Sequence, residues 1–180
     1  MTNFSYGARL NSFKLGLKDD EHKEQHLTIR LLKRAIEAGL TQMDLNYPDH
    51  FQGLNINELT HFISKQPINI NGLAMRYYTA PEFKLGAFTH PDPRIRTLAL
   101  DETKRGLDMA SELGCSLMTL WMGQDGFDYS FQGEFAEMWD NTILAIQEVA
   151  DYDKTINISI EYKPNEPRAF SLMPDVATTL

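Results

Sequence analysis

Apolar residues along this chain switch repeatedly between two periods. Over 24–38, Leu27, Leu31, Ala35 and Ile36 recur at helical spacing and Gly39 supplies the stop, which predicts a helix. Residues 4–11 and 42–46 read as strands on either side of it. A shorter helical stripe over 55–65, with Ile56, Leu59, Phe62 and Ile63 on one side, ends before Pro67. A third strand follows over 71–77. Asp92 then offers a side-chain cap and Pro93 occupies the first helical position, so a long helix begins there and runs to Leu113, with Gly114 as its stop. Its stripe is Ile95, Leu98, Ala99, Leu107, Ala110 and Leu113, and Gly106 inside it costs about 1 kcal/mol relative to Ala. Residues 117–121 form strand four. After a Gly- and Asp-rich loop comes a helix over 134–151 with the stripe Phe135, Trp139, Ile143, Ile146 and Val149, and then strand five over 155–161.

This alternation is the mark of βα units and a parallel sheet. No linker or repeat divides residues 1–180, so they read as a single domain. The last residues, 174–180, open another helix behind Pro174 and Asp175. A closed (β/α)8 barrel takes about 250 residues. The expected fold is therefore α/β, an incomplete (β/α)8 TIM barrel with about five βα units present, although an open sheet accounts for the strand count equally well.

Composition narrows the partners. With 17 basic and 25 acidic residues the net charge is −8, which disfavours any role built on neutralising phosphate backbones. The single cysteine, Cys115, leaves no intrachain disulfide, the N-terminus lacks a basic and then apolar segment, and no apolar stretch approaches the roughly 20 residues of a membrane span. The expectation is a cytoplasmic protein with no nucleic-acid or membrane partner.

The chemistry concentrates in residues 156–168. Strict alternation places Ile156, Ile158 and Ile160 on one face and Asn157, Ser159, Glu161 and Lys163 on the other. A carboxylate and an ammonium then share the C-terminal end of a strand, where parallel α/β folds mount their ligands. Glu161 is suited to a hard divalent cation, and Lys163 to charge on a substrate oxygen. By spacing alone the pair reads first as a surface ion pair. Elsewhere, Gly123-Gln124-Asp125-Gly126 reads as a turn rather than a phosphate cradle. His22, His26 and His61 read as solvated, His90 as part of a loop and cap, and Cys115 as a small buried residue. Tyr77 and Tyr78 are placed to stack on a ligand's apolar face, a position that core packing explains equally well.

The segment Glu161-Tyr162-Lys163-Pro164-Asn165-Glu166-Pro167-Arg168 closely resembles the Glu-Pro-Lys-Pro-Asn-Glu-Pro-Arg motif of xylose isomerases. Upstream, Pro81-Glu82-Phe83-Lys84-Leu85-Gly86-Ala87-Phe88-Thr89 is similar to that family's Pro-Val-Phe-Lys-Asp-Gly-Gly-Phe-Thr. Glu112-Leu113-Gly114 and Trp121-Met122-Gly123-Gln124-Asp125-Gly126 are similar to its Glu-Leu-Gly and Trp-Gly-Gly-Arg-Glu-Gly. The resemblance is good over residues 70–180 and loose before them. It implies a TIM barrel that interconverts aldoses and ketoses with two divalent ions, Mg or Mn, and that acts as a homo-oligomer on a monosaccharide.

Carried over residue by residue, the resemblance makes Glu161 a metal ligand and places Lys163 on the substrate oxygen near the carbonyl. Trp121 becomes a pocket wall, and the Glu166–Pro167 bond is expected to be cis. Asn46 stands where the family has its ring-opening His, and Asp49 falls on that His's acidic partner, so the dyad is incomplete; His50 is a candidate substitute. Arg9 falls near a position that is Trp in the family, which makes the pocket more polar. The family's other metal ligands lie beyond strand five, so the 180-residue chain is expected to be a truncated form and inactive alone. A sugar epimerase of the same superfamily and a noncatalytic fragment or partner subunit are the alternative readings. A repair nuclease on the same barrel is disfavoured by the acidic balance.

Overall fold

A computed structural model describes residues 5–17 and 25–180. Strand β1 (Gly7–Arg9) is shorter than the predicted 4–11, because the chain turns at once into a 3-10 helix, Leu10–Lys14, that buries Leu10. Then follow α1 (Leu27–Glu37), β2 (Gln42–Tyr47), α2 (Ile56–Ser64), β3 (Asn69–Met75), α3 (Pro93–Glu112) and β4 (Leu117–Leu120). The chain continues through β5 (Gly126–Phe127), α4 (Phe135–Tyr152), β6 (Asn157–Ile160), β7 (Phe170–Ser171) and α5 (Val176–Thr179). Five strands form one wholly parallel sheet in the order β1-β2-β3-β4-β6, as the βα alternation requires, and the sheet is not closed.

Local signals place the helix starts. Asp92 accepts the Arg94 N–H at 2.9 Å and Asn55 the Asn57 N–H at 3.0 Å, each satisfying an amide that the first turn leaves without a partner. His26, expected to be solvated, caps α1 instead: its Nδ1 accepts the Thr28 N–H, and its Nε2 lies 2.9 Å from the Gln52 carbonyl. His22 lies outside the described residues.

Helices α1 and α3 cover the outer face of the sheet with Leu31, Leu32, Ala35, Leu107 and Ala110 against Met43, Leu45, Leu73, Met75 and Met118. The glycine in α3 has a packing reason. A Cβ on Gly106 would stand 2.9 Å from Met75 Sδ and 3.1 Å from Met118 Cε, so its absence lets the helix sit close on the strands. On α4 the buried residues are Thr142, Ala145 and Val149, while Phe135 and Ile143, predicted in its stripe, are exposed. The short antiparallel pair β5–β7 was not foreseen, since two-residue strands carry no periodicity. Among the described residues no helix is long and apolar enough to cross a membrane.

Candidate functional site at the strand ends

The outermost strands of the sheet reveal its curvature. β1 and β6 are separated by three strands, which would hold them about 19 Å apart in a flat sheet at the usual spacing of about 4.8 Å. Yet Arg9, at the end of β1, donates from Nη2 to Glu161 Oε2, just past β6, at 2.5 Å. The sheet is therefore curled, and these two side chains meet on its concave face. Strand alternation carries the assignment along: if Glu161 faces inward, so do Ser159 and Asn157, while Ile158 and Ile160 pack against the core behind.

Neighbouring strand ends complete the face. Tyr78 and Trp121 meet edge-on with centroids 4.8 Å apart. The Arg76 guanidinium lies 4.4 Å over the Tyr78 ring, and Lys163 Nζ lies 5.7 Å from the Trp121 ring centre. Both are cation–π distances. Two adjacent rings thus lie between two cations in the order Arg76, Tyr78, Trp121, Lys163. Lys163 also donates to Glu166 Oε2 at 2.5 Å, and this ion pair holds the Glu166 carboxyl below its usual range. The Glu166–Pro167 and Tyr47–Pro48 bonds are cis.

The end of β2 supplies buried polar groups. His50 is only 3% exposed; its Nδ1 accepts the Asn46 N–H at 2.9 Å, and its carbonyl accepts from Thr28 Oγ1 at 2.6 Å. Burial first, and then the nearby positive charges of Lys14 and Arg76, push its pKa down to about 4, so the ring is neutral. With Nδ1 accepting, the ring proton belongs on Nε2, and that atom has no partner among the described residues. Asn46 Oδ1 is likewise buried without a partner. Asp49 accepts from Thr79 Oγ1 at 3.2 Å and borders a hollow of about 610 Å³ shared with Gln52, Arg76, Thr79 and Glu82.

Of the residues singled out in the sequence, Glu161, Lys163 and Trp121 are brought together here, with Asn46 in β2 and Asp49 just past it. Tyr77 is not a stacking surface. Its hydroxyl is engaged with Thr103 Oγ1 at 2.6 Å and its ring meets Phe83 and Phe88 edge-on, so it belongs to the core. Tyr78, one residue on, takes the place beside Trp121. Arg76 was missed because a lone arginine after an apolar strand has no motif; only the neighbouring strands show what it faces. Cys115 is buried and its thiol is pushed up to about 11, mainly by that burial, which leaves it inert.

Asp125, read as a turn residue, is a buried carboxylate. It accepts from the N–H groups of Ala87 and Thr89, at 3.1 and 2.7 Å, and from Thr89 Oγ1 at 2.8 Å, while burial raises its pKa. It ties the loop after β4 to the loop before α3 and so holds the rim of the face in shape.

The described residues do not by themselves assemble a divalent-ion site. Among the described residues no three His, Cys, Asp or Glu side chains converge as a ligand group, and the Glu161 carboxylate is engaged by Arg9. Neither the identity nor the number of the expected Mg or Mn ions is shown by these residues; at Glu161 a guanidinium supplies the positive charge.

A family model described as xylose isomerase-like TIM barrel matches residues 32–172. The chain belongs to this family. It is 34% identical over 113 residues to the xylose isomerase of Thermus thermophilus, an alignment covering 58% of this chain and 29% of that protein. Among solved structures it is similar to the D-allulose 3-epimerase from Methylomonas sp. in complex with D-allulose, at TM-score 0.63 and 18% identity, covering 87% of this chain and 50% of that one. It is also similar to an IOLI protein with a bound zinc atom, at TM-score 0.62 and 12% identity, covering 86% and 52%. The two structural likenesses are to the fold. The chain spans less than a third of the xylose isomerase and about half of each structure.

Proposed function

We propose that this chain forms the sugar-binding face of a sugar isomerase of the xylose isomerase-like family, interconverting an aldose and a ketose. The observation that carries it is Lys163 Nζ poised over the Trp121 ring beside the Glu161 carboxylate, at the C-terminal ends of parallel strands. Trp121 and Tyr78 offer apolar area for the C–H face of a sugar and exclude water from it. Lys163, turned from Glu166, donates to the oxygen of the opened sugar's carbonyl and steadies charge growing there. Asn46 Oδ1 and the Asp49 carboxylate accept from sugar hydroxyls, and the Arg9–Glu161 pair binds hydroxyls on both its partners.

Trp121 fluorescence tests this in a Trp139→Phe background. D-xylose, D-fructose and D-allulose are titrated in turn. Saturable quenching by at least one of them is expected, weakened about tenfold in Lys163→Ala, the worth of one charge-assisted hydrogen bond. No saturable response to any of the three sugars refutes the reading. An epimerase acting by proton transfer is the second reading, favoured by the allulose-bound structural neighbour. Turnover in deuterated water separates the two, because proton transfer carries solvent deuterium into the product and a hydride shift does not.

A further inference from the structure

Two of the three cations on the concave face are paired, Arg9 with Glu161 and Lys163 with Glu166. Arg76 has no ion pair among the described residues. Its Nε is buried without a partner, its guanidinium is held flat over Tyr78, and Asp49 approaches only closely enough to act through space. A half-buried guanidinium left in this way retains unused donors in a planar fork, the geometry that matches a carboxylate or a phosphate. Arg9 comes from β1 and Arg76 from the end of β3, two strand spacings apart at about 10 Å, a gap that two arginine side chains close when they converge on one anion. The ring on which Arg76 lies continues through Tyr78 to Trp121, the wall assigned above to the sugar. An anion at Arg76 is therefore contiguous with the sugar position.

We propose that the substrate is an acidic sugar, carrying a carboxylate or a phosphate monoester that seats on Arg76 with Arg9 at its far side. This rests on the sugar-site reading and narrows it. A neutral sugar leaves the Arg76 fork unmatched, whereas an anionic one fills it. Of the carboxylates near the anion position, Glu161 is paired with Arg9, and Asp49 accepts from Thr79 Oγ1.

Calorimetric titration of the full chain with matched pairs tests it: D-glucose against D-glucuronate, and D-fructose against fructose 6-phosphate, with inorganic phosphate alone as a further arm. At least one acidic sugar is expected to bind about tenfold or more tighter than its neutral counterpart, with the advantage falling as salt rises. Which acidic sugar gains distinguishes the carboxylate from the phosphate. Arg76→Gln abolishes the advantage. Arg76→Lys, which keeps the charge but not the fork, retains part of it and serves if the glutamine variant fails to fold by circular dichroism. Equal binding of neutral and acidic sugars overturns this inference and leaves the sugar site standing. Binding of inorganic phosphate as tight as that of the sugar phosphate overturns it as well, because the sugar then contributes nothing. No binding of any sugar overturns both.

Discussion

His50 provides a pH dependence whose sign and size follow from the structure. In the unfolded chain its imidazole titrates near 6.5, and in the folded protein burial lowers that to about 4. Between those values the unfolded state binds more protons than the folded one, so stability rises with pH. The contribution is complete above about pH 6.5 and is lost as pH falls through the window to about 4. At about 1.36 kcal/mol per pH unit, full protonation removes about 3 kcal/mol, a large share of the about 5–15 kcal/mol that a domain has in total. The assay is urea unfolding at several pH values from 7.5 to 4.5 for the wild type and for His50→Gln, whose amide oxygen can still accept the Asn46 N–H but cannot titrate. The difference between the two curves isolates His50 from the carboxylates that protonate in the same range. The wild type is expected to lose stability more steeply than His50→Gln below about pH 6.5. Parallel curves, or an NMR titration placing the His50 ring near 6.5, would refute the reasoning and mean that water reaches the ring.

Asp125→Ala removes the acceptor for two backbone N–H groups and a hydroxyl in a buried site; at about 1–3 kcal/mol for each orphaned donor, a loss of about 3 kcal/mol or more is expected in urea unfolding. A near-neutral result would show that the loops it joins are held by other contacts. Gly106→Ala gains about 1 kcal/mol of helix propensity but drives a methyl into Met75 and Met118, both fully buried, so a net loss of about 1 kcal/mol is predicted, and a raised Tm would show that the methionines yield freely. Arg9→Met removes an ion pair that is over a third exposed on both sides, so stability is expected to change by less than about 1 kcal/mol, while acidic-sugar affinity in the titration above falls. A large loss of stability there would mean that the pair holds the sheet's curl.

The order of helices and strands was legible in the residues because hydrophobic periods and caps act over one or two turns. The Asp92 cap, the Gly114 stop and the Ile156–Ile158–Ile160 alternation each specify local backbone without reference to the rest of the chain. The motif around Glu161 and Lys163 was legible for the same reason, being contiguous. Tyr77 and Tyr78 show where that reach ended. Adjacent residues leaving a strand are equally aromatic, and the turn of a 3-10 helix decided which entered the core and which faced Trp121.

By itself, then, the amino-acid order determined a parallel run of βα units and a carboxylate–ammonium pair at one strand's end. Only the folded chain decided what those groups meet: that β1 and β6 curl until Arg9 reaches Glu161, that Arg76 has no ion pair among the described residues, and that Asp125 is buried among backbone amides. Each of these joins residues dozens to more than a hundred positions apart. Such contacts arise from sheet curvature and from the burial of charge, which depend on every strand at once and leave no period in the sequence.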